Sequence, residues 1–325
     1  MNTDFAERNS PLASVDSSFG NYLTRKKMME SRRIDGNGIP NYAYELDYES
    51  RRKLDAIPGF YETAKTITRP SVSREVHEYT RTSLAVGPNQ FPEIYQIACE
   101  CASTLGIAIP NIYIKNAQDV NACAYAVDDV EPTVIVNSGM LERFTLPELK
   151  YVIGHECGHL HNYHGAYKVL SSMVLGIGVA GVSAGISSVL GGLLSAGSMV
   201  LLNTWSRASE VTADRAGLLC ADSLEDCHNA MAKLMYGGII GSEHQIDFGD
   251  IRRQLDDTME SVARYSEIMS THPATARRIA AISEFAECAV YYEWRPERKL
   301  PGGIMRSKQE TDMRCNRYID LREKR

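Results

Sequence analysis

His155 and His159 stand four residues apart with Glu156 beside the first, an H-E-x-x-H pattern inside the stretch TLPELKYVIGHECGHLHNYHG from Thr145 to Gly165. On a helix, residues four apart share a face, so the two imidazoles come to a separation that one zinc ion bridges. Glu156 then stands beside a metal-bound water without being a ligand, which is where a general base takes that water's proton. A catalytic zinc needs a third protein ligand and one open position. The segment SRASEVTADR, residues 206–215, carries Glu210 and Asp214, again four apart. Glu210 is the candidate third ligand, and Asp214 the candidate acceptor for the free nitrogen of a ligand histidine. The plainer reading of this pair is a solvated helix face with Arg207 and Arg215 as ion-pair partners.

These side chains meet only if the chain builds helices around them. Thr145 and Glu148 form a T-x-x-E capping box with Pro147 in the first turn, and Leu149, Tyr151, Val152 and Ile153 continue as a buried helix. Upstream, the sequence predicts a helix over Tyr48–Lys65 interrupted at Pro58-Gly59, a helix or strand pair over Val72–Leu84, and a helix over Pro92–Leu105 closed by Gly106. These N-terminal helices brace the active-site helix from behind. Short β-rich runs follow at Ile112–Ile114, Ala122–Val127 and Thr133–Val136. A small sheet before the histidine helix offers an edge strand that can pair with an extended peptide backbone. Downstream, helices are predicted from Asp214 to Gly238, over Ile251–Met269, and from His272-Pro273 to Trp294. His161 and His164 fall off the ligand spacing and read as surface or packing residues.

The order H-E-x-x-H then E-x-x-x-D resembles the gluzincin zinc metallopeptidases of the HtpX heat-shock protease and CAAX prenyl endopeptidase group. Asn121-Ala122-Cys123-Ala124 resembles that group's N-A-F-A motif, with Cys123 in place of the usual Phe. Thr271-His272-Pro273 followed by Arg278 resembles its downstream H-P segment. The resemblance runs from about Tyr48 to Glu284. It implies an α+β, mostly helical, zincin-like domain that hydrolyses polypeptides with one catalytic Zn2+. It also implies substrate contacts at Asn121, Ala122, Cys123 and Ala124. His272 would lie near the metal, as an oxyanion donor or as a ligand closing a latent site, and Arg278 would orient Asp214 or another acid. The competing function is a zinc-stabilised scaffold or holdase-like binder whose closed site leaves no position for water.

At 325 residues with net charge −6, the chain can bury a large core and does not suit a general nucleic-acid binder. The expected organisation is a flexible tail over 1–47, a peptidase domain over 48–294 and a basic tail over 295–325. The first tail could serve as a pro-segment or touch a membrane surface. No apolar leader is visible in MNTDFAERNSPLASVDSSFG, and the eight cysteines, Cys99 and Cys101 among them, read as free thiols. Residues 169–206 hold no charge and seven glycines. Because His159 and Glu210 must meet, this run crosses a bilayer twice or not at all. Lys168 and Arg207 flank it on one side, which by the positive-inside rule puts the zinc domain in the cytoplasm. At 38 residues, diluted by Gly and Ser, it is barely long enough for two crossings. The favoured form is an apolar helical hairpin, soluble or membrane-peripheral, in a cytoplasmic or inner-membrane-associated protein.

Overall fold

The computed structural model describes residues 38–127, 130–176, 196–237, 250, 275–299 and 301–319. Within these residues the chain is helical around a small mixed sheet, the α+β class expected. Helix α1 covers Glu45–Asp55 and α2 covers Phe60–Thr82, separated at Gly59, whose φ of 72° is left-handed and open to glycine without a Cβ penalty. Strand β1 is Leu84–Ala85, helix α3 is Pro92–Leu105 and strand β2 is Asn111–Lys115. Strands β3, Ala122–Tyr125, and β4, Thr133–Asn137, lead into the short helix α4, Ser138–Arg143. The sheet order is β1-β2-β4-β3, with β2 and β4 parallel and both outer pairs antiparallel. Among the described residues, strand β3 therefore has a sheet neighbour on one side only.

Helix α5, Leu146–His161, carries the H-E-x-x-H pattern, and both bonds of its predicted capping box form. Helices α6, Gly165–Gly176, and α7, Ala196–Cys220, take in the two ends of the apolar insert. The chain then breaks at Ser223, which caps α8, Leu224–Tyr236, so the single helix expected over 214–238 is two. Helices α9, Thr275–Ala286, α10, Ala289–Trp294, and α11, Lys308–Ile319, complete the described chain. The predicted helix over 251–269, His272-Pro273, insert residues 177–195 and tail residues 1–37 and 320–325 lie outside the described residues. No helix among the described residues is long and apolar enough to cross a membrane.

The two motif helices can touch because small residues line their seam. A Cβ on Gly158 would lie 2.5 Å from the Ala216 Cβ, and one on Gly217 would lie 2.7 Å from the Tyr151 ring. Only glycine allows that approach. It brings α5 against α7 as one core, with Ile153, Cys157 and Leu219 buried in it. Helix α3 packs on α5 and also touches α7, and α1 packs on α7. All eight cysteines are free, as expected.

Both predicted tails depart from expectation where they are described. Tyr42, Tyr44 and Asp47 are buried, and Tyr44 joins a cluster with Val211 of α7 and Tyr318 and Ile319 of α11. The C-terminal segment is not simply solvated either. Its polar helix α11 buries Asp312 against Arg215 of α7 at 2.7 Å. A guanidinium buried this deeply requires a counter-charge, and it also lies over the Phe285 ring at 4.8 Å. Arg215 thus serves the terminal helix, not Glu210 or Asp214.

Candidate metal centre

Helices α5 and α7 bring His155, His159 and Glu210 together so that one ligand atom from each lies within 4.8 Å of the others. His155 Nε2 is 3.6 Å from Glu210 Oε2, and His159 Nε2 is 3.5 Å from Glu210 Oε1. Donors bound tetrahedrally at ordinary zinc distances stand about 3.4 Å apart, so the donor set fits a zinc ion. The local charge fits as well. The Glu210 carboxylate is buried, and cations come to it: Arg278 Nη1 at 3.1 Å and the Lys168 ammonium against Oε1. Burial also drives the His159 imidazole well below its ordinary pKa, more than its contacts with Glu210 restore. A neutral imidazole is the form that ligates metal.

Each histidine uses Nδ1 to hold its ring. His155 Nδ1 is 2.9 Å from Asp214 Oδ1, as the spacing of Glu210 and Asp214 predicts. Tyr151 donates to the same oxygen at 2.8 Å, and Arg278 grips the carboxylate with Nε at 2.8 Å and Nη2 at 2.6 Å. Burial alone would raise the Asp214 carboxyl, but the Arg278 guanidinium and His155 bring it down to about 2. Arg278 thus holds the expected acid and reaches Glu210 as well.

His159 is held differently. Its Nδ1 lies 2.8 Å from Nδ1 of His164, whose Nε2 lies 3.0 Å from Asp47 Oδ2 on α1. Neither residue was recognised from the sequence. Helix α5 ends at His161, and Tyr163 takes a left-handed φ of 55°. That residue turns the chain back, so the His164 amide donates to the His159 carbonyl at 3.1 Å. Helical spacing does not apply past such a turn.

Glu156 faces the cleft. Burial pushes its carboxyl above the usual range, helped by Glu210 and opposed by His155, Lys168 and Arg278. The cleft holds about 860 Å³ and is walled by Asn121–Ala126 on one side and by Lys168, Val169 and Ser172 of α6 on another. Cys123 lies in that wall with its thiol pushed up to about 12 by burial, so it is no nucleophile. Lys168 and Arg207, read from the sequence as membrane flanks, both turn inward: Lys168 meets Glu210, and Arg207 is buried. His272 lies outside the described residues.

The sequence profile of peptidase family M48 matches residues 88–286. Over 260 residues, 77% of this chain and 74% of the relative, the chain is 26% identical to the plastoglobule-localized metallopeptidase 48, chloroplastic, of Arabidopsis thaliana. Over 223 residues, 62% of this chain and 72% of the relative, it is 28% identical to a protease HtpX homolog of Bifidobacterium longum. No solved structure matches the chain at a significant level.

Proposed function

The chain belongs to peptidase family M48 and is a metalloprotease acting on polypeptides, and we propose that it is a zinc endopeptidase that cleaves extended or unfolded protein chains with Glu156 as general base. The observation that carries this reading is that His155, His159 and Glu210 each bring a ligand atom within 4.8 Å of the others, close enough to share one ion. Zinc held there would polarise the scissile carbonyl and lower the pKa of a water toward ~7. Glu156 takes the proton of the attacking water and passes it to the leaving amine. A carboxyl raised by burial suits a group that must carry a proton part-way through a reaction. Asp214, itself clamped by Arg278, keeps the His155 ring turned toward the metal.

The substrate side rests on β3. As the end strand of the sheet, beside the ligands, it can take an extended peptide as a further strand through Asn121, Ala122, Cys123 and Ala124. Backbone pairing reads little side-chain sequence, so unfolded segments are the natural substrates. The charge-free run 169–206 supports contact with a membrane surface. Recovery of the full chain in the detergent phase, against recovery in buffer, tests that placement.

Glu156→Gln tests the chemistry. Zinc stays bound, and hydrolysis of casein falls by at least ~100-fold, the scale of a lost general base. Chelation of the wild type abolishes hydrolysis. Casein cleavage by Glu156→Gln at the wild-type rate refutes the mechanism, and zinc binding without hydrolysis in the wild type returns the scaffold reading.

A further inference from the structure

The His159 arm ends on Asp47 of α1, and the family match begins only at residue 88. No residue of α1 lines the cleft. The chain of contacts nevertheless has one consistent arrangement of protons. His159 Nε2 faces Glu210 Oε1, so with a metal in the site read above that nitrogen would be the donor and carry no hydrogen. The proton of the neutral ring is then on Nδ1, 2.8 Å from Nδ1 of His164. Two facing ring nitrogens bond only if one donates and the other accepts. His164 Nδ1 therefore accepts, its own proton sits on Nε2, and that N–H donates to Asp47 Oδ2 at 3.0 Å. Asp47 is 3% exposed and His164 is 1% exposed, so cutting either link leaves a buried polar group unpaired.

We propose that Asp47 and His164 are positioning residues for the metal. Given the metal site read above, they lock His159 in its ligand tautomer and orientation. Metal affinity thereby depends on the docking of α1, a helix that supplies no atom to the reaction. The relay ties the N-terminal helix to the centre as an outer partner ties a ligand, by fixing the ring and raising its basicity.

The test is the zinc dissociation constant of the full chain, measured by competition with a chromophoric chelator. His164→Leu weakens binding on the order of 10- to 100-fold, the usual cost of losing an outer partner of a ligand. Asp47→Asn, which replaces one carboxylate oxygen by an amide nitrogen, weakens it less. His164→Gln recovers most of the loss, because an amide offers an acceptor toward His159 and a donor toward Asp47. Tyr42→Phe removes the hydroxyl that bonds His161 and Asn162 at 2.9 Å but leaves the relay intact, so its affinity stays at the wild-type value. Linkage requires the converse: zinc slows amide hydrogen exchange of residues 45–55 in the wild type and not in His164→Leu.

Wild-type affinity in both His164→Leu and Asp47→Asn overturns the proposal, and so does an equal loss in Tyr42→Phe, which would make the effect one of general packing. If His164→Leu does not fold, Asp47→Asn and the exchange measurement decide. A wild-type chain that takes up no zinc would sink the metal site itself, a failure distinct from that of the relay.

Discussion

His155 and His159 are near-equivalent toward a metal and unlike each other toward the protein. His155 leans on a carboxylate directly, and Tyr151 and Arg278 fix that carboxylate from two further sides. The partners of this arm come from α5, α7 and α9, the helices that also build the core of the site. His159 reaches a carboxylate only through a second imidazole, and that carboxylate sits on α1, a helix packed against α7. A direct charged partner in a dense cluster makes for rigidity. A relayed partner adds a dependence on whatever holds the far end, here the docking of α1. Two ligands from one helix turn thus connect the centre to different parts of the molecule.

The largest effect comes from the group on which both arms converge. Glu210→Ala should lose zinc, read by elemental analysis, and all hydrolysis with it. Full occupancy in that variant would dissolve the comparison, because the arms would no longer share an ion. Next comes the direct arm. Asp214→Asn should weaken zinc binding on the order of 10- to 100-fold and by more than Asp47→Asn, since it also deprives Arg278 of a charged, bidentate partner. If Asp47→Asn proved the costlier change, the ranking of the arms would be reversed.

A double-mutant cycle sharpens the contrast. Asp47→Asn and His164→Leu interrupt one chain, so their combined loss in zinc affinity should fall short of the sum. Asp47→Asn and Asp214→Asn lie on different arms and should add within about 0.5 kcal/mol. Strong coupling in the second pair would mean that the two arms act as one.

The smallest effect lies outside both arms and supplies the background. His228 of α8 is 3.0 Å from the Ser283 hydroxyl, and burial lowers its pKa to about 4. A histidine depressed in the folded state resists protonation there, so its contribution to stability is complete above the unfolded value of ~6.5 and is lost as pH falls from there toward ~4. His228→Gln should flatten that part of a melting-temperature profile measured on zinc-free protein. An unchanged slope would put the acid sensitivity elsewhere.

Much of the direct arm was legible because its signals are local. The capping box starts α5 where a hydrogen-bond pattern across three residues requires it, and the spacing of four places both pairs of side chains on helix faces. Arg278 was legible only through resemblance. The relayed arm was not, for two physical reasons. His164 reaches His159 through a turn that depends on Tyr163 being left-handed, a conformation that tyrosine does not announce. Asp47 stood in what looked like a polar tail, and only the packing of Tyr42 and Tyr44 into the core shows that it is anchored. Lys168 and Arg207 were misread for a similar reason: a charge beside an apolar run looks solvent-facing until something buried is found to need it.

The sequence by itself determined the pairing of His155 with His159 and of Glu210 with Asp214 and the helices that present them, because hydrogen bonding along a helix converts spacing into direction without help from the rest of the chain. Tertiary structure decided which charges neutralise the Glu210 carboxylate, how closely two glycine-lined helices approach, and that the second histidine answers to α1. Those outcomes depend on contacts between segments up to a hundred or more residues apart, where only the shared burial of the whole core selects one partner over another.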